Sequence, residues 1–443
     1  MNYSIFWFRR DLRLSDNAGL YQALRKDFPV KSIFIFDKNI LDKLVDNADP
    51  RVTFIHDTLN EIKSQLQSHG SDLEVYYGDP IKIWKELAND PNLKTVFSNR
   101  DYERYALDRD HKVGEILNAA SIEFNTYKDH VIFEKGEIVK EDGLPYVVFT
   151  PYKRKWLAKL ETRKDYENAE ESYYFKSYPT EKYFENFLRF ESVSPPSLKD
   201  MGFEKSSIPI PGALVARSVI RQYDKRRNFP AIAGTSKLGI HFRFGTISIR
   251  AKARHAQKLN DTYLSELIWR DFYSMILQHF PHVEDQSFRE KYDHIEWRNN
   301  EEEFDKWCKG ETGYPIVDAG MRELNTTGYM HNRVRMIVAS FLTKHLLIDW
   351  RWGERYFAAK LLDFDLASNS GGWQWAAGSG TDAAPYFRIF NPYTQADKFD
   401  KQREYIRKWV PEFGTADYPS PIVDHKMARE RCLNTYKKAL AQV

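Results

Sequence analysis

A carboxylate, an indole and a guanidinium fall at helical spacing between Tyr263 and Phe272. On a helix Glu266, Trp269 and Arg270 share one face, because residues three and four apart are neighbours. That face admits two readings: a surface carboxylate beside a core indole, or a pocket whose indole stacks on a flat ring while Glu266 bonds the ring's polar edge. Between Gly328 and Leu342 a second helical pattern puts Asn332 and Met336 on one face, with Arg335 one step away, before an apolar run. A buried arginine needs a carboxylate or phosphate partner. Asp363 and Asp365 stand in an otherwise apolar stretch from Leu361 to Trp375 and are candidates; turn chemistry and helix capping are the other uses of such acids. Gly371 and Gly372 in that stretch let a backbone approach a ligand closely. From Gly234 to Gly239, small hydroxyl residues join backbone N–H groups, a combination that suits a phosphate or a simple loop; the full P-loop pattern is absent. Arg217, Arg221, Lys225, Arg226 and Arg227 form a basic run, either a solvated helix face or a phosphate-binding rim.

The elements that must position these groups fall into two kinds. In the first third, Ser4–Phe8, Ser32–Phe36, Leu73–Tyr77 and Thr95–Phe97 read as buried strands. Helical periodicity fills residues 16–26, 51–69, 80–89 and 102–120 between them. That alternation predicts a parallel sheet flanked by helices. No GxGxxG is present, so a dinucleotide fingerprint is missing, although a small-molecule site at the sheet's carboxyl edge stays open. Residues 160–210 are rich in Glu, Lys, Tyr and Pro without a sustained period and read as a long surface connection. Beyond them the chain reads as helices over 213–229, 247–259, 262–280, 300–308, 315–327, 330–347, 351–362 and 425–442. The expected division is an α/β N-terminal domain over 1–130, a connection over 131–205 and an all-α domain over 206–443.

Composition bounds the function more loosely. The 443 residues are 29% charged and 42% hydrophobic, ordinary for a globular protein, and 443 is long enough for two domains. Aromatics reach 15%, with 11 Trp, 26 Tyr and 29 Phe. That exceeds core needs and raises the question of what the rings stack against. A net charge of +3 hints at a polyanionic partner only weakly. Cys308 and Cys432 are the only cysteines, which fits a reducing cytosol. No CxxC, HExxH or His/Cys cluster appears, so no metal is expected. The start does not read as a signal peptide, and no stretch of about 18 apolar residues suggests a membrane span. A cytoplasmic protein is therefore expected.

Taken together, these segments closely resemble the photolyase/cryptochrome family. The likeness runs from the segment Phe6–Leu14 (FWFRRDLRL) to about residue 413 and is most specific between Gly313 and Phe399. Met330, His331, Asn332 and Arg333 make it most similar to the class I cyclobutane pyrimidine dimer photolyases. The (6-4) photolyases and animal cryptochromes would show a His pair there.

The resemblance implies FAD in the helical domain. Tyr223, Thr235, Ser236, Lys237, Leu238 and Gly239 would hold its ribityl and phosphate part, with Lys237 where Arg is more familiar. Asp363 and Asp365 would face the isoalloxazine and adenosine side, Arg335 would pair with Asp363, and Asn369 would sit near flavin N5. A neutral amide there can accept from a protonated N5 without adding charge beside an anionic flavin. Glu266 would bond the dimer's base edges, Trp269 and Trp375 would wall the lesion, and Asn332 and Met336 would line the floor. Arg227, Arg333, Arg388 and Gln395 would contact the DNA backbone. Trp297, Trp350 and Trp373 match the family's electron-transfer chain. The implied partner is UV-damaged DNA with the dimer flipped into the pocket, bound by a monomer. Tyr105 and Ala106 stand where folate-binding members would show an Asn-Glu pair, which leaves a deazaflavin antenna, methenyltetrahydrofolate or an empty antenna pocket open. The rival reading is a cryptochrome, a blue-light receptor without repair activity.

Overall fold

Aromatic and β-branched residues dominate the first strands, and the alternation of their side chains divides two cores. In the computed structural model, which describes residues 1–163 and 172–441, the strands are β1 (Tyr3–Phe8), β2 (Val30–Asp37), β3 (Leu73–Gly78), β4 (Leu93–Asn99) and β5 (Glu123–Tyr127). All pair in parallel, in the order β3-β2-β1-β4-β5, with Phe6 opposite Ser32 on one side and Phe97 on the other. Phe6, Phe8, Phe34 and Phe36 pack into one hydrophobic cluster, while Ile5, Trp7, Ile33 and Ile35 pack into another. This is the doubly wound pattern of helices on both faces.

The connecting helices start where the sequence supplies a cap. Helices α1 (Ala18–Leu24), α2 (Pro50–Ser68) and α3 (Pro80–Leu87) begin at Asn17, Asp49 and Asp79, whose side chains accept backbone N–H groups. Pro50 and Pro80 fit the first turn, where no intrahelical donor is needed. Helix α4 (Arg104–Ala119) completes the layer. The sequence reading lacks β5: it is an edge strand, half-exposed along most of its length, and its residues do not form an apolar run.

The chain crosses between two units more often than the expected boundaries at 130 and 205 imply. One unit takes Met1–Glu137, Trp156–Ala213 and Leu238–Lys258; the other takes Ile138–Lys155, Leu214–Lys237 and Leu259–Val443. The expected connection is thus mostly part of the first unit. It is held there by contacts such as the bridge of Phe187 to Val30 and the buried Phe175 and Phe187. Its residues 164–171 lie outside those described. Pairwise packing decides these assignments, and a composition shift does not reveal it.

The second unit is helical. Its site-bearing helices are α5 (Asp261–His279), α6 (Glu301–Lys309), α7 (Pro315–Thr327), α8 (Asn332–Ser340), α9 (Trp350–Lys360), α10 (Leu366–Ala377) and α11 (His425–Leu440). After α8 the backbone widens into a π turn over Phe341–His345, so the expected single helix over 330–347 is interrupted. Helix α10 is absent from the sequence reading, which takes Gly371 and Gly372 only as places where the backbone can approach a ligand closely. Asp365 caps its start and Gly378, at φ 90°, ends it. Packing overrides the glycines' low helix propensity. A Cβ at Gly371 would run into the Tyr273 ring, and one at Gly353 on α9 would run into the Trp373 ring. Gly353 therefore lets α10 lie close against α9. Among the described residues no helix is long and apolar enough to cross a membrane.

Candidate functional site

Helices α5, α8, α9 and α10 of the second unit surround a cavity of about 390 Å³. That lies within the range of about 300–1,000 Å³ common for ligand sites. Glu266, Trp269, Arg270 and Tyr273 line it from α5, and Asn332, Arg335 and Met336 line it from α8. Phe357 comes from α9, and Asn369, Gly372, Trp373 and Trp375 come from α10. Asp363 and Asp365 complete the wall. The helical spacings that group Glu266 with Trp269, and Asn332 with Met336, place both pairs on this lining.

The cavity's charges are arranged in pairs. Arg335 donates through Nη2 to both Asp363 oxygens at 3.0 Å and through Nε to the Met330 carbonyl at 2.7 Å. Burial alone would lower the Arg335 pKa; the neighbouring Asp363 carboxylate outweighs it and holds the guanidinium protonated. Asp365 lines the cavity and also accepts from the Ser368 backbone N–H at 3.1 Å. The capping use of that acid is therefore real, and it does not remove Asp365 from the site.

Asn369 is fixed from one side only. Its Nδ2 donates to the Glu354 carbonyl at 3.1 Å and to Glu354 Oε1 at 2.9 Å. Among the described residues nothing donates to its Oδ1. The amide is thereby turned with its acceptor available and its donor spent. Glu354 is buried, and burial raises its pKa although the Asn369 hydrogen bond opposes the shift.

Glu266 forms an ion pair with Arg227, whose guanidinium also lies 5.2 Å from the Tyr223 ring centre. Only Oε1 of Glu266 is engaged, and no described residue donates to Oε2. Trp269 stacks flat on Phe149, with ring centres 3.7 Å apart and planes 8° from parallel. Its indole is thus held rigidly. Trp375 is half-buried, 6.4 Å from the Phe390 ring. Arg333 donates to Asn228 Oδ1 at 2.7 Å and to Met336 Sδ at 3.7 Å, and sits 4.3 Å from the Phe399 ring centre. Burial, then the like charges of Arg227 and Arg388, push its pKa down. Arg227 and Arg388 are therefore each close enough to Arg333 to repel it, an arrangement an anion relieves. Gln395 lies half-buried on the helix Pro392–Phe399, outside the cavity lining.

The remaining expected flavin contacts of the second unit, Tyr223 and Thr235 to Lys237, form a second cluster. Thr235 Oγ1 lies 3.2 Å from Tyr329 Oη, and Ser236 Oγ accepts from Tyr263 Oη at 3.1 Å. Lys237 has a left-handed backbone at φ 52°, rare for a side chain of this type, and its Nζ lies 4.8 Å from the Tyr329 ring centre. Tyr223 packs edge-on against Tyr263 at 5.0 Å. Leu238 is buried, and Gly239 opens the short helix Gly239–Phe244 of the first unit.

Of the three expected electron carriers, Trp373 lines the cavity and Trp350 is buried in the same hydrophobic core. Trp297 packs, partly buried, on that core's edge. The Trp373 ring lies over Gly353, one helical turn beyond Trp350 on α9.

Sequence reasoning misses Glu354, Tyr329, Phe149 and Phe357. Glu354 sits among charged neighbours on α9 and reads as a surface residue; only its contact with Asn369 gives it a role. Phe149 is distant in sequence from Trp269, so no local pattern pairs them.

The cavity leaves room for a bulky cofactor beside α10. A Cβ placed on Gly372 meets no atom within 4 Å, so the backbone there faces open space. Comparison with known proteins agrees. Residues 4–171 match the family model described as DNA photolyase, and residues 263–416 match the FAD binding domain of DNA photolyase. The chain is 39% identical to a deoxyribodipyrimidine photo-lyase of Halobacterium salinarum, over 98% of this chain and 99% of that one. A bacterial class III photolyase from Agrobacterium tumefaciens superposes with a TM-score of 0.85 at 32% identity, covering 99% of this chain and 98% of that one. A Synechocystis cryptochrome superposes with a TM-score of 0.82 at 25% identity, covering 98% and 99%.

Proposed function

Because the chain belongs to the DNA photolyase family, we propose that its light-driven, FAD-dependent DNA repair acts on cyclobutane pyrimidine dimers by electron donation from reduced FAD. When bound, reduced FAD supplies an electron on excitation and recovers it after the dimer's bonds have broken, so no second substrate is consumed.

The chain's own residues then bind, orient and stabilise. Thr235, Ser236 and Lys237 offer hydroxyls and charge to the cofactor's phosphates. The Arg335–Asp363 pair would offer the cofactor's polar groups both signs of charge in fixed positions. Asn369 Oδ1 would accept a hydrogen bond from a protonated ring nitrogen while Glu354 holds its Nδ2, and would so favour the protonated, reduced ring without a second negative charge. This half-satisfied amide is the observation that carries the proposal. The lesion leaves the duplex to reach the cavity, at lower cost for a poorly stacked dimer. Trp269, braced by Phe149, and Trp375 supply apolar walls. Glu266 turns its unused oxygen to the base edge. Arg227, Arg333 and Arg388 seat flanking phosphates, and the buried walls exclude water from the transient charge.

The test is light-dependent repair of a thymine dimer in an oligonucleotide, with a (6-4) lesion as the control. Repair of the dimer alone is expected. No repair of either lesion would turn the assignment toward signalling, and repair of the (6-4) lesion would overturn the dimer specificity.

A further inference from the structure

Trp373 has a second ring path leading away from the cavity. Its ring neighbours are Phe357 at 5.0 Å and Trp307 at 6.1 Å. Trp307 is fully buried and lies 5.7 Å from the ring of Tyr356 on α9. Tyr356 is half-buried, and its hydroxyl donates to Oδ1 of the exposed Asn325 at 2.6 Å. The expected chain through Trp297 and Trp350 uses neither Trp307 nor Tyr356.

We propose that Trp307 and Tyr356 form a second branch for refilling Trp373, ending in a tyrosine that loses its proton at the surface. The branch deepens the electron-transfer reading above and rests on Trp373 being the gateway to FAD. Two contacts favour it. The Trp307 indole N–H donates to the Val338 carbonyl at 3.2 Å, and an acceptor there stabilises the ring while it is positive. Trp350 lacks such an acceptor among the described residues, and the Arg351 guanidinium lies 4.9 Å from its ring centre. That charge opposes a positive Trp350, although Asp293 and Asp349 offset part of it.

The electron count closes. Trp373 gives one electron to the photo-excited oxidised flavin, Trp307 gives one to Trp373, and Tyr356 gives one to Trp307. Oxidised Tyr356, whose hydroxyl also lies 3.2 Å from the Cys308 carbonyl, releases its phenolic proton to solvent beside the exposed Asn325 and becomes a neutral radical. An external thiol returns one electron and one proton.

The experiment illuminates the FAD-loaded protein with a thiol present and follows flavin reduction together with the radical signal in frozen samples by electron paramagnetic resonance. Trp350→Phe is expected to keep photoreduction and a tyrosyl signal. Adding Tyr356→Phe should remove that signal and slow photoreduction about tenfold. Flavin content and thermal unfolding check that each variant is folded. Should Trp350→Phe destabilise the protein, Tyr356→Phe alone must still remove the tyrosyl signal. Loss of photoreduction in a folded Trp350→Phe protein overturns the branch. So does a double variant indistinguishable from Trp350→Phe, or a tyrosyl signal that survives Tyr356→Phe. Photoreduction at the wild-type rate in Trp373→Phe would instead remove the gateway reading itself, and the branch with it.

Discussion

At the carboxyl edge of the sheet, Asn99 donates to Asp11 at 2.5 Å and to Asn17 at 2.8 Å, and accepts from the Gly19 N–H at 2.9 Å. In the helical unit, Asn369 donates twice to Glu354 and has no described donor at its oxygen. The two amides are chemically identical, and their surroundings assign them different work. Around Asn99, where the strand order reverses and open α/β sheets usually bind ligands, side chains leave only about 10 Å³. That is at most the room of one water. The polar groups of this crevice close on one another and make structure. Those of the helical cavity are held on one side and open on the other, as a binding site requires.

The largest effect should come from breaking a closed network. Arg250 donates to Asp129 at 2.8 Å and to Asp16 at 2.9 Å, deep in the first unit. Arg250→Met takes the shared cation from both carboxylates, leaving Asp129 to Arg13 alone and Asp16 to the Ser248 hydroxyl and the Tyr178 N–H; breaking a buried ion pair costs up to about 3–5 kcal/mol. Denaturant unfolding should show that loss. Burial alone would raise the Asp129 pKa, but Arg13 and Arg250 hold it down at about 2. A lowered carboxyl stabilises the fold above its unfolded value, so this contribution is complete above about pH 4 and fades toward pH 2. Acid unfolding of Arg250→Met should therefore show a weaker dependence on pH in that window, the remainder being held by Arg13. Unchanged stability would mean that the first unit's network is as open as the second's.

Arg335→Met sharpens the contrast, because the same kind of substitution in the open region should cost ligand before fold. Arg335 and Asp363 keep about a quarter and a fifth of their side-chain exposure, and solvent screens the pair. Flavin per folded protein should fall at least about tenfold, the equivalent of about 1.4 kcal/mol, with a smaller change in unfolding midpoint than Arg250→Met. Absorbance of the purified variant measures the first quantity and denaturant titration the second. A large midpoint loss with flavin retained would reverse the assignment.

The legibility of the two regions differs for the same reason. Strands β1 to β4 are apolar runs and announce themselves, and the spacing of Glu266 with Trp269 already places them together. The need of a buried cation for a partner offers Asp363 and Asp365 to Arg335, and the choice of Asp363 is what the family resemblance implies. The Glu354–Asn369 contact, the Phe149 brace and helix α10 do not follow. Each depends on a neighbour far away in sequence, and Gly371 reads as room for a ligand until Tyr273 is seen packing against it. Local pattern shows which groups are unusual; only packing shows which side of each group is left open.

Glu266 tests the open side directly. Its free oxygen is proposed to stabilise charge that exists on the lesion only after electron transfer. Glu266→Ala should lower the repair yield per photon more than it weakens dark binding. A hydrogen bond to a charged partner contributes about 1.5–3 kcal/mol, or roughly ten- to a hundredfold if all of it were lost from affinity. Wild-type yield together with wild-type affinity would remove Glu266 from the site.

The smallest effect belongs to Arg227, whose two possible tasks the ion pair with Glu266 brings into conflict. As a phosphate contact it contributes to binding any DNA, and Arg227→Ala should weaken damaged and undamaged DNA alike. Each neutralised phosphate releases counterions, so the slope of log affinity against log salt should shrink by about one. As a brace it fixes the Glu266 carboxylate, and its loss would lower the repair yield while leaving that slope intact. The structure gives it both opportunities, since the guanidinium touches Glu266 and lies near enough to Arg333 to push that residue's pKa down. Arg333 supplies the reference: it contacts Asn228 and Met336 but not Glu266, so Arg333→Ala should change the slope without Glu266's effect on yield. Salt titrations and quantum yields on the two variants separate the tasks. A reduced slope with an unchanged yield makes Arg227 an open-sided group like Asn369. An unchanged slope with a reduced yield makes the Arg227–Glu266 pair a closed contact like those around Asn99, set into the wall of the open site.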